Sequence, residues 1–364
     1  MVTPTVRGLF YFRSAPAFVN FKRNYCAPSM ITFYPGPSKV YPQVAQYAQE
    51  AIQSGIVSLN HRSTGFMEIV AETSQLLHEK LGIPSDYYIA FVSSATECWE
   101  IIAQSLTATT SLHPYSGAFG KKWMEYAHKI KPVVRPDEAD VLCVVQNETS
   151  NGTQVRMETL AQFRQEFNAL MAVDATSSMA GLVFDWTLAD VWFASVQKCF
   201  GLPAGLALLI YSPAALKRAE VIGDRQYYNS LLFIHENITK HQTQYTPNGL
   251  DIYLLMRVMQ QVPPIVEVDA RIRQRSAGWY RFLEEETDWQ LLIQKPGQRS
   301  DTVIAVQGSE EQIKNVKAAA QNAGITLGNG YGDWKTTTFR IANFPAIDDG
   351  EIDQLKAFLR HYKS

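Results

Sequence analysis

Two apolar runs, Val191 to Val196 and Gly205 to Tyr211, flank a short hinge that holds Lys198, Gly201 and Pro203. Uninterrupted apolar runs of this length fit strands buried on both faces, and a Gly/Pro hinge allows two of them to lie side by side. Similar stretches upstream, at Tyr88 to Ser93, Val141 to Gln146 and Leu170 to Asp174, alternate with helical patterns near Pro42 to Ser54, Glu68 to Leu81 and Glu97 to Leu106. This β-then-α alternation predicts an α/β fold built on a mostly parallel, mixed sheet. From Pro247 the pattern becomes one long helix to about Gln261, followed by helices near Asp269 to Glu286 and Glu311 to Gly324 between strands. A small C-terminal α+β domain is expected there. Pro263-Pro264 is the natural punctuation, so the expected division is an extension over 1–29, a large domain over 30–262 and a small domain over 263–364.

At 364 residues the chain exceeds what one hydrophobic core usually organises, which agrees with two lobes. Its 33 Lys and Arg nearly balance 35 Asp and Glu, so no nucleic-acid or membrane-surface footprint is expected. The longest apolar run, around Leu206 to Tyr211, is far too short to span a bilayer. Cys26, Cys98, Cys143 and Cys199 lie far apart without a CxxC spacing, which points to reduced thiols in a cytoplasmic protein rather than a zinc site or disulfide framework. The Asn-x-Thr sequons at Asn147, Asn151 and Asn237 read as accidental. The first acidic residue is Glu50, and the opening segment carries Arg7, Arg13, Lys22 and Arg23. That composition is compatible with a transit peptide; a start at Met30, just before the strand-like Ile31 to Tyr34, is the alternative.

Lys198 between two buried strands demands a reason. Burial disfavours the ammonium and leaves a neutral amine able to attack an aldehyde, such as that of pyridoxal 5'-phosphate (PLP). A lysine at an exposed turn is the competing reading. Asp174 closes the apolar strand Ala169 to Val173, at the carboxyl edge where α/β sheets place ligands. A carboxylate there suits the PLP pyridinium nitrogen, although Asp174 before Thr176, Ser177 and Ser178 also makes a good helix cap. Ser93-Ser94-Ala95-Thr96-Glu97 sets small hydroxyl residues between a strand and a helix, where backbone N–H groups and the Thr96 hydroxyl would receive a phosphate.

The motifs FYPGPS at Phe33, NHRS at Asn60, LGIP at Leu81, SSAT at Ser93, GAFGKKW at Gly117, NETSNG at Asn147, VDATSS at Val173 and SVQK at Ser195 together form a specific pattern. Over Ile31 to about Ile347 the sequence resembles the phosphoserine aminotransferases, class V members of the fold type I PLP enzymes. The resemblance implies Lys198 as the Schiff-base lysine, Asp174 as the pyridinium partner, Gln197, Ala95 and Thr96 as phosphate ligands, and Thr149 beside the cofactor's phenolic oxygen. It implies that Thr246 is a phosphate ligand donated by a neighbouring subunit, hence a homodimer with shared active sites. It also implies Arg340 as the clamp on the substrate α-carboxylate, a task suited to the guanidinium fork, and His61 with Arg62 on the substrate's phosphate. The substrates implied are small amino acids and 2-oxo acids, with phosphoserine and 2-oxoglutarate as the pair, in serine biosynthesis.

The sequence departs from that pattern in three places. Phe119 stands where the family stacks a tryptophan on the cofactor. Tyr245-Thr246-Pro247-Asn248 replaces Asn-Thr-Pro-Pro, and a late Gly-His-Arg that supplies two phosphate ligands reads Leu327-Gly328-Asn329-Gly330-Tyr331, with Asn329, Tyr331 and Lys335 as the polar groups available. The last departure keeps open a class V aminotransferase acting on an unphosphorylated amino acid such as serine or alanine. Cysteine desulfurase chemistry needs a late cysteine, and none follows Cys199. A non-catalytic dimeric scaffold on the same fold would not need Lys198, Asp174 and Thr149 together. GNGYGD at Gly328 imitates a dinucleotide fingerprint but lacks the following helix.

Overall fold

The computed structural model describes residues 30–132 and 138–362; the expectations for segment 1–29 and Cys26 fall outside the described residues. In chain order the elements are β1 (Ile31–Phe33), α1 (Val44–Gln53), α2 (Thr64–Leu81), β2 (Tyr88–Val92), α3 (Ala95–Ser105), β3 (Ser111–Leu112), α4 (Ala118–Ile130), β4 (Val141–Val145), β5 (Asn147–Glu148) and β6 (Thr153–Gln154). There follow α5 (Met157–Glu166), β7 (Leu170–Asp174), β8 (Val191–Ser195), β9 (Ala207–Tyr211), α6 (Pro213–Ile222), α7 (Leu231–Ile238) and α8 (Gly249–Gln261). The chain ends with α9 (Ile265–Glu285), β10 (Gln290–Leu291), β11 (Val303–Gln307), α10 (Glu310–Asn322), β12 (Ile325–Asn329), β13 (Thr338–Ala342) and α11 (Asp349–His361).

The main sheet has the order β2-β9-β8-β7-β4-β3. Strands β3, β4, β7 and β8 run parallel, whereas β9 is antiparallel to both β8 and β2. The two apolar runs around Lys198 are therefore neighbours, as expected, with Ser195 opposite Ala207. Every residue of β4, β7, β8 and β9 is buried, which is why these strands read as unbroken apolar runs. Helix boundaries follow local chemistry. Ser63 accepts from Phe66 N to start α2, Ser94 accepts from Glu97 N to start α3, and Gly82, at φ +67°, ends α2 in the left-handed region.

A second sheet, β1-β12-β13-β11-β10, carries the C-terminal unit with its own core around Trp279, Phe339 and Phe344. Residues 31–33, grouped with the large domain in the sequence reading, belong here instead. β1 pairs in parallel with β12, Ile31 opposite Ile325, because Phe33 is fully buried against Trp279 in the second core. Pro263-Pro264 does separate α8 from α9, yet α9 serves both cores: Ile265, Val268 and Ile272 pack on the first, Trp279, Phe282 and Leu283 on the second. Asp301 ties the two together, accepting from Arg156 Nη1 at 2.5 Å and Gln154 Nε2 at 3.1 Å on one side and from Ser276 Oγ of α9 at 2.9 Å on the other. No helix among the described residues is long and apolar enough to cross a membrane. Cys98, Cys143 and Cys199 are buried free thiols, and Asn147 and Asn151 are buried, out of reach of glycosylation.

Candidate active site

The hinge after β8 runs along the seam between the two cores: Cys199 packs in the second and Phe200 in the first. Ser38 N donates to Gln197 O at 3.0 Å and Tyr41 N to Gly201 O at 2.9 Å, so the FYPGPS loop is strapped across the hinge by its backbone. A Cβ on Gly36 would stand 3.0 Å from Lys198 Cε, which explains a glycine at that point. Lys198 is thereby enclosed, 6 % exposed, with Nζ donating to Thr149 Oγ1 at 2.6 Å and to Ser177 Oγ at 3.0 Å. Burial pulls its ammonium down to about 8, against the opposing pull of the Asp174 and Glu148 carboxylates.

Asp174, at the C-terminal end of β7, is buried, and its Oδ1 accepts from Thr176 N at 2.9 Å. Burial raises its carboxyl above the ordinary range, while the Thr176 bond and the Lys198 charge oppose the rise. That bond closes a turn and caps no helix, because residues 176–181 are turn rather than helix. At the start of α3, Ala95 N donates to Ser195 Oγ at 2.8 Å, joining the helix N-terminus to the strand that leads to Lys198. Arg340, on β13, is buried, donating from Nε to Asn329 O and from Nη1 to Thr149 O, both at 2.6 Å. Loss of water pulls it down to about 10, which leaves it a cation at neutral pH.

Ala95, Thr96, Phe119, Thr149, Asp174, Gln197, Lys198 and Arg340 all line one cavity of about 270 Å³. That is near the lower end of small-molecule sites, roughly 300–1,000 Å³. Phe119 lies 5.3 Å below Lys198 Nζ and stacks on Tyr331 at 4.9 Å. His61, Arg62 and Thr246 are not among the lining residues. Arg62 instead donates to Gln242 Oε1 at 2.5 Å and Asn237 Oδ1 at 3.3 Å, which draws it to the segment leading to Thr246; both Arg62 and Thr246 are exposed.

Three contributors escaped the sequence reading of individual residues. Ser177 lies within VDATSS and Ser195 within SVQK, so the motifs hold them, but only the fold reveals that their hydroxyls meet Lys198 and Ala95. Glu148, fully buried, accepts from Gly120 N at 3.1 Å and from Ser150 N and Oγ, while Ser150 Oγ accepts from Ala118 N at 3.0 Å. The acid thus caps the helix that presents Phe119. A Cβ on Gly117 would lie 2.3 Å from Glu148 Cγ, so the glycine makes room for the cap.

The family model for aminotransferase class-V matches residues 122–332. The chain belongs to the class V aminotransferases. It is 28 % identical over 351 residues to a phosphoserine aminotransferase of Rhodococcus opacus, covering 88 % of this chain and 91 % of the relative. A crystal structure of a phosphoserine aminotransferase from Cytophaga hutchinsonii matches with a TM-score of 0.86 and 30 % identity over 92 % of this chain and 99 % of that one. An aspartate aminotransferase from Thermus thermophilus, 23 % identical with a TM-score of 0.78 over 91 % of this chain and 98 % of its own, shares the fold. This class V aminotransferase therefore has the fold type I architecture that its motifs imply, and members of that fold differ in the amino acid they use.

Proposed function

We propose that this aminotransferase uses PLP held on Lys198 to move the amino group of L-phosphoserine to 2-oxoglutarate, a step of serine biosynthesis in the cytoplasm. The observation that carries the reading is Lys198 itself, a buried lysine fixed by two hydroxyls in the same cavity as Asp174. The residues fit the cofactor. Ala95 N, Ser195 Oγ, Thr96 and Gln197 would hold its phosphate at the N-terminus of α3, Asp174 its ring nitrogen, and Phe119 one ring face.

When bound, PLP supplies an electron sink conjugated to the amino-bearing carbon of the substrate. Arg340 fixes the donor's α-carboxylate. Lys198 Nζ takes the proton from the donor Cα and later returns one, with Thr149 and Ser177 steering the amine between positions. Asp174 keeps a positive charge at the ring nitrogen, and the enclosed seam excludes water.

His61, Arg62 and Thr246 serve the cavity of a second copy in this reading. Their position away from their own chain's cavity supports a homodimer, as do the nearby exposed side chains of Val57, Leu59, Tyr227 and Tyr228. The absent basic pair near Asn329 favours a second reading, an unphosphorylated donor such as serine or alanine. A half-reaction separates them: PLP-loaded protein is mixed in turn with L-phosphoserine, L-serine, L-alanine and L-glutamate, and loss of the lysine-bound cofactor absorbance is followed, with Lys198→Ala as control. Rapid conversion by phosphoserine and glutamate alone supports the first reading. Conversion by serine or alanine with indifference to phosphoserine overturns it.

A further inference from the structure

The segment that carries Thr246 is pinned on both sides. Upstream, Arg62 Nη1 donates to Gln242 Oε1 at 2.5 Å, and the buried Thr243 donates from Oγ1 to Tyr245 O at 2.6 Å. Downstream, Asn248 opens α8: its Oδ1 accepts from Asp251 N at 3.3 Å, and its Nδ2 donates to Asp251 Oδ2 at 2.8 Å. The first of these bonds is an ordinary helix cap. The second is not, since the acid of a capping box reaches back to the backbone N–H of the cap residue, whereas Asp251 takes the side-chain amide. Asp251 is buried, and the loss of water pushes its carboxyl up to about 6. It is therefore ionised at neutral pH, and a buried carboxylate needs the donor that Asn248 supplies.

The hinge leaves room for this pair. A Cβ on Gly205 would stand 2.7 Å from Asp251 Oδ2 and 3.6 Å from Asn248 Nδ2, and Gly205 has φ +140°. Gly205 leads from the Lys198 hinge into β9, so the pair abuts the backbone that follows the lysine. Asn248 stands where the family motif has its second proline. A proline ring holds φ at about −65°. Asn248 has φ −72°, so the same backbone angle is held here by side-chain bonds. We propose that Asn248 and Asp251 are positioning residues, a clasp that replaces the rigidity of that proline and sets where Thr246 stands against the cofactor phosphate of a second copy. This rests on the shared-site reading above, in which Thr246 is donated across the dimer.

The test titrates cofactor-free protein with PLP and with pyridoxal, which keeps the aldehyde and lacks the phosphate, in mildly alkaline buffer, following the lysine-bound absorbance. Thr246→Ala sets the scale: its preference for PLP over pyridoxal should fall by about tenfold, the equivalent of one hydrogen bond to a charged group. Asn248→Asp keeps the cap of α8, because aspartate and asparagine cap equally well, and sets a second carboxylate against Asp251 in place of the amide. The expected result is a fall of about three- to tenfold in the same preference, with no further fall when Asn248→Asp is added to Thr246→Ala. Asn248→Pro combined with Asp251→Ala removes the clasp, puts back the proline and should recover most of the preference. Loosening of α8 alone weakens both aldehydes equally and leaves the preference where it is. Where Asn248→Asp melts too low to load, Asn248→Ser, which also caps without the amide, takes its place. An unchanged preference in the folded variant, beside the fall in Thr246→Ala, overturns the clasp and leaves the shared-site reading intact. A fall that the proline double variant does not recover also overturns the clasp, because rigidity is then not what the pair supplies. Thr246→Ala with unchanged preference overturns the reading of Thr246 as a phosphate ligand, and the clasp with it.

Discussion

At the scale of single residues, the chemistry turns on the proton of Lys198. Its folded value of about 8 against the ordinary 10.5 means that below pH 8 the amine is protonated in both the folded and unfolded chain, and the fold bears the cost of a buried charge. Between about 8 and 10.5 the unfolded chain binds more protons than the folded one, so stability rises with pH across that window, by about 3 kcal/mol in total. Thermal melts of cofactor-free wild type and Lys198→Met over pH 7 to 10 should therefore converge as the wild type gains on the variant; parallel curves would show that burial does not suppress the ammonium. The same titration governs reactivity, because the neutral amine is the form that attacks an aldehyde. Capture of added PLP by the cofactor-free protein should accelerate as pH passes 8 and then level. That Asp174 and Lys198 would be buried at one cavity was legible from sequence because each stands at the end of an apolar run and the two occur together with the family motifs. Ser177 and Ser195 were not, since a serine in a turn is ordinary until a fold brings a lysine or a helix N-terminus within 3 Å of it.

At the scale of elements, the N-terminus of α4 is built around a buried acid. Glu148 belongs to the two-stranded β5–β6 ribbon, and its carboxylate accepts from Gly120 N and Ser150 in a space that Gly117 keeps open. Glu148→Gln retains one acceptor oxygen and replaces the other with a donor facing N–H groups. The expected cost is about 1–3 kcal/mol of stability, read in a thermal melt, with weaker PLP binding as Phe119 shifts. A variant with unchanged melting and unchanged PLP affinity would show that the acid has no part in holding the helix. Sequence periodicity placed α1, α2, α3, α8, α9 and α10 and the strands β2, β4, β7, β8 and β9 within a few residues, because buried strands and capped helices carry their own signals. It gave no bounds for α4, α5, α6, α7 or α11, and it missed the tie between β5–β6 and α4, which depends on partners about thirty residues apart.

At the scale of the whole molecule, the proposed homodimer assigns Arg62 and Thr246, both exposed on their own chain, to the site of the second copy. Mixing Lys198→Ala chains with chains carrying both Arg62→Ala and Thr246→Ala should restore about a quarter of wild-type activity, since half of a random mixture is heterodimer and each heterodimer contains one complete site. No recovery after verified exchange of subunits would confine these residues to their own chain. The alternation of apolar strands with helices determined the layered α/β architecture, and motif identity determined which side chains to watch, because both are written in local order. The destination of Ile31–Phe33 and the double allegiance of α9 were decided only in three dimensions. A three-residue strand carries too little pattern to choose a sheet, and Phe33 settles the choice by filling a space beside Trp279. The hydrogen bond from Asn329 Nδ2 to Tyr34 Oη was likewise invisible in sequence, where the two residues stand nearly three hundred apart. Hydrogen bonds between residues so far apart are selected by packing of the whole chain, and no local spacing encodes them.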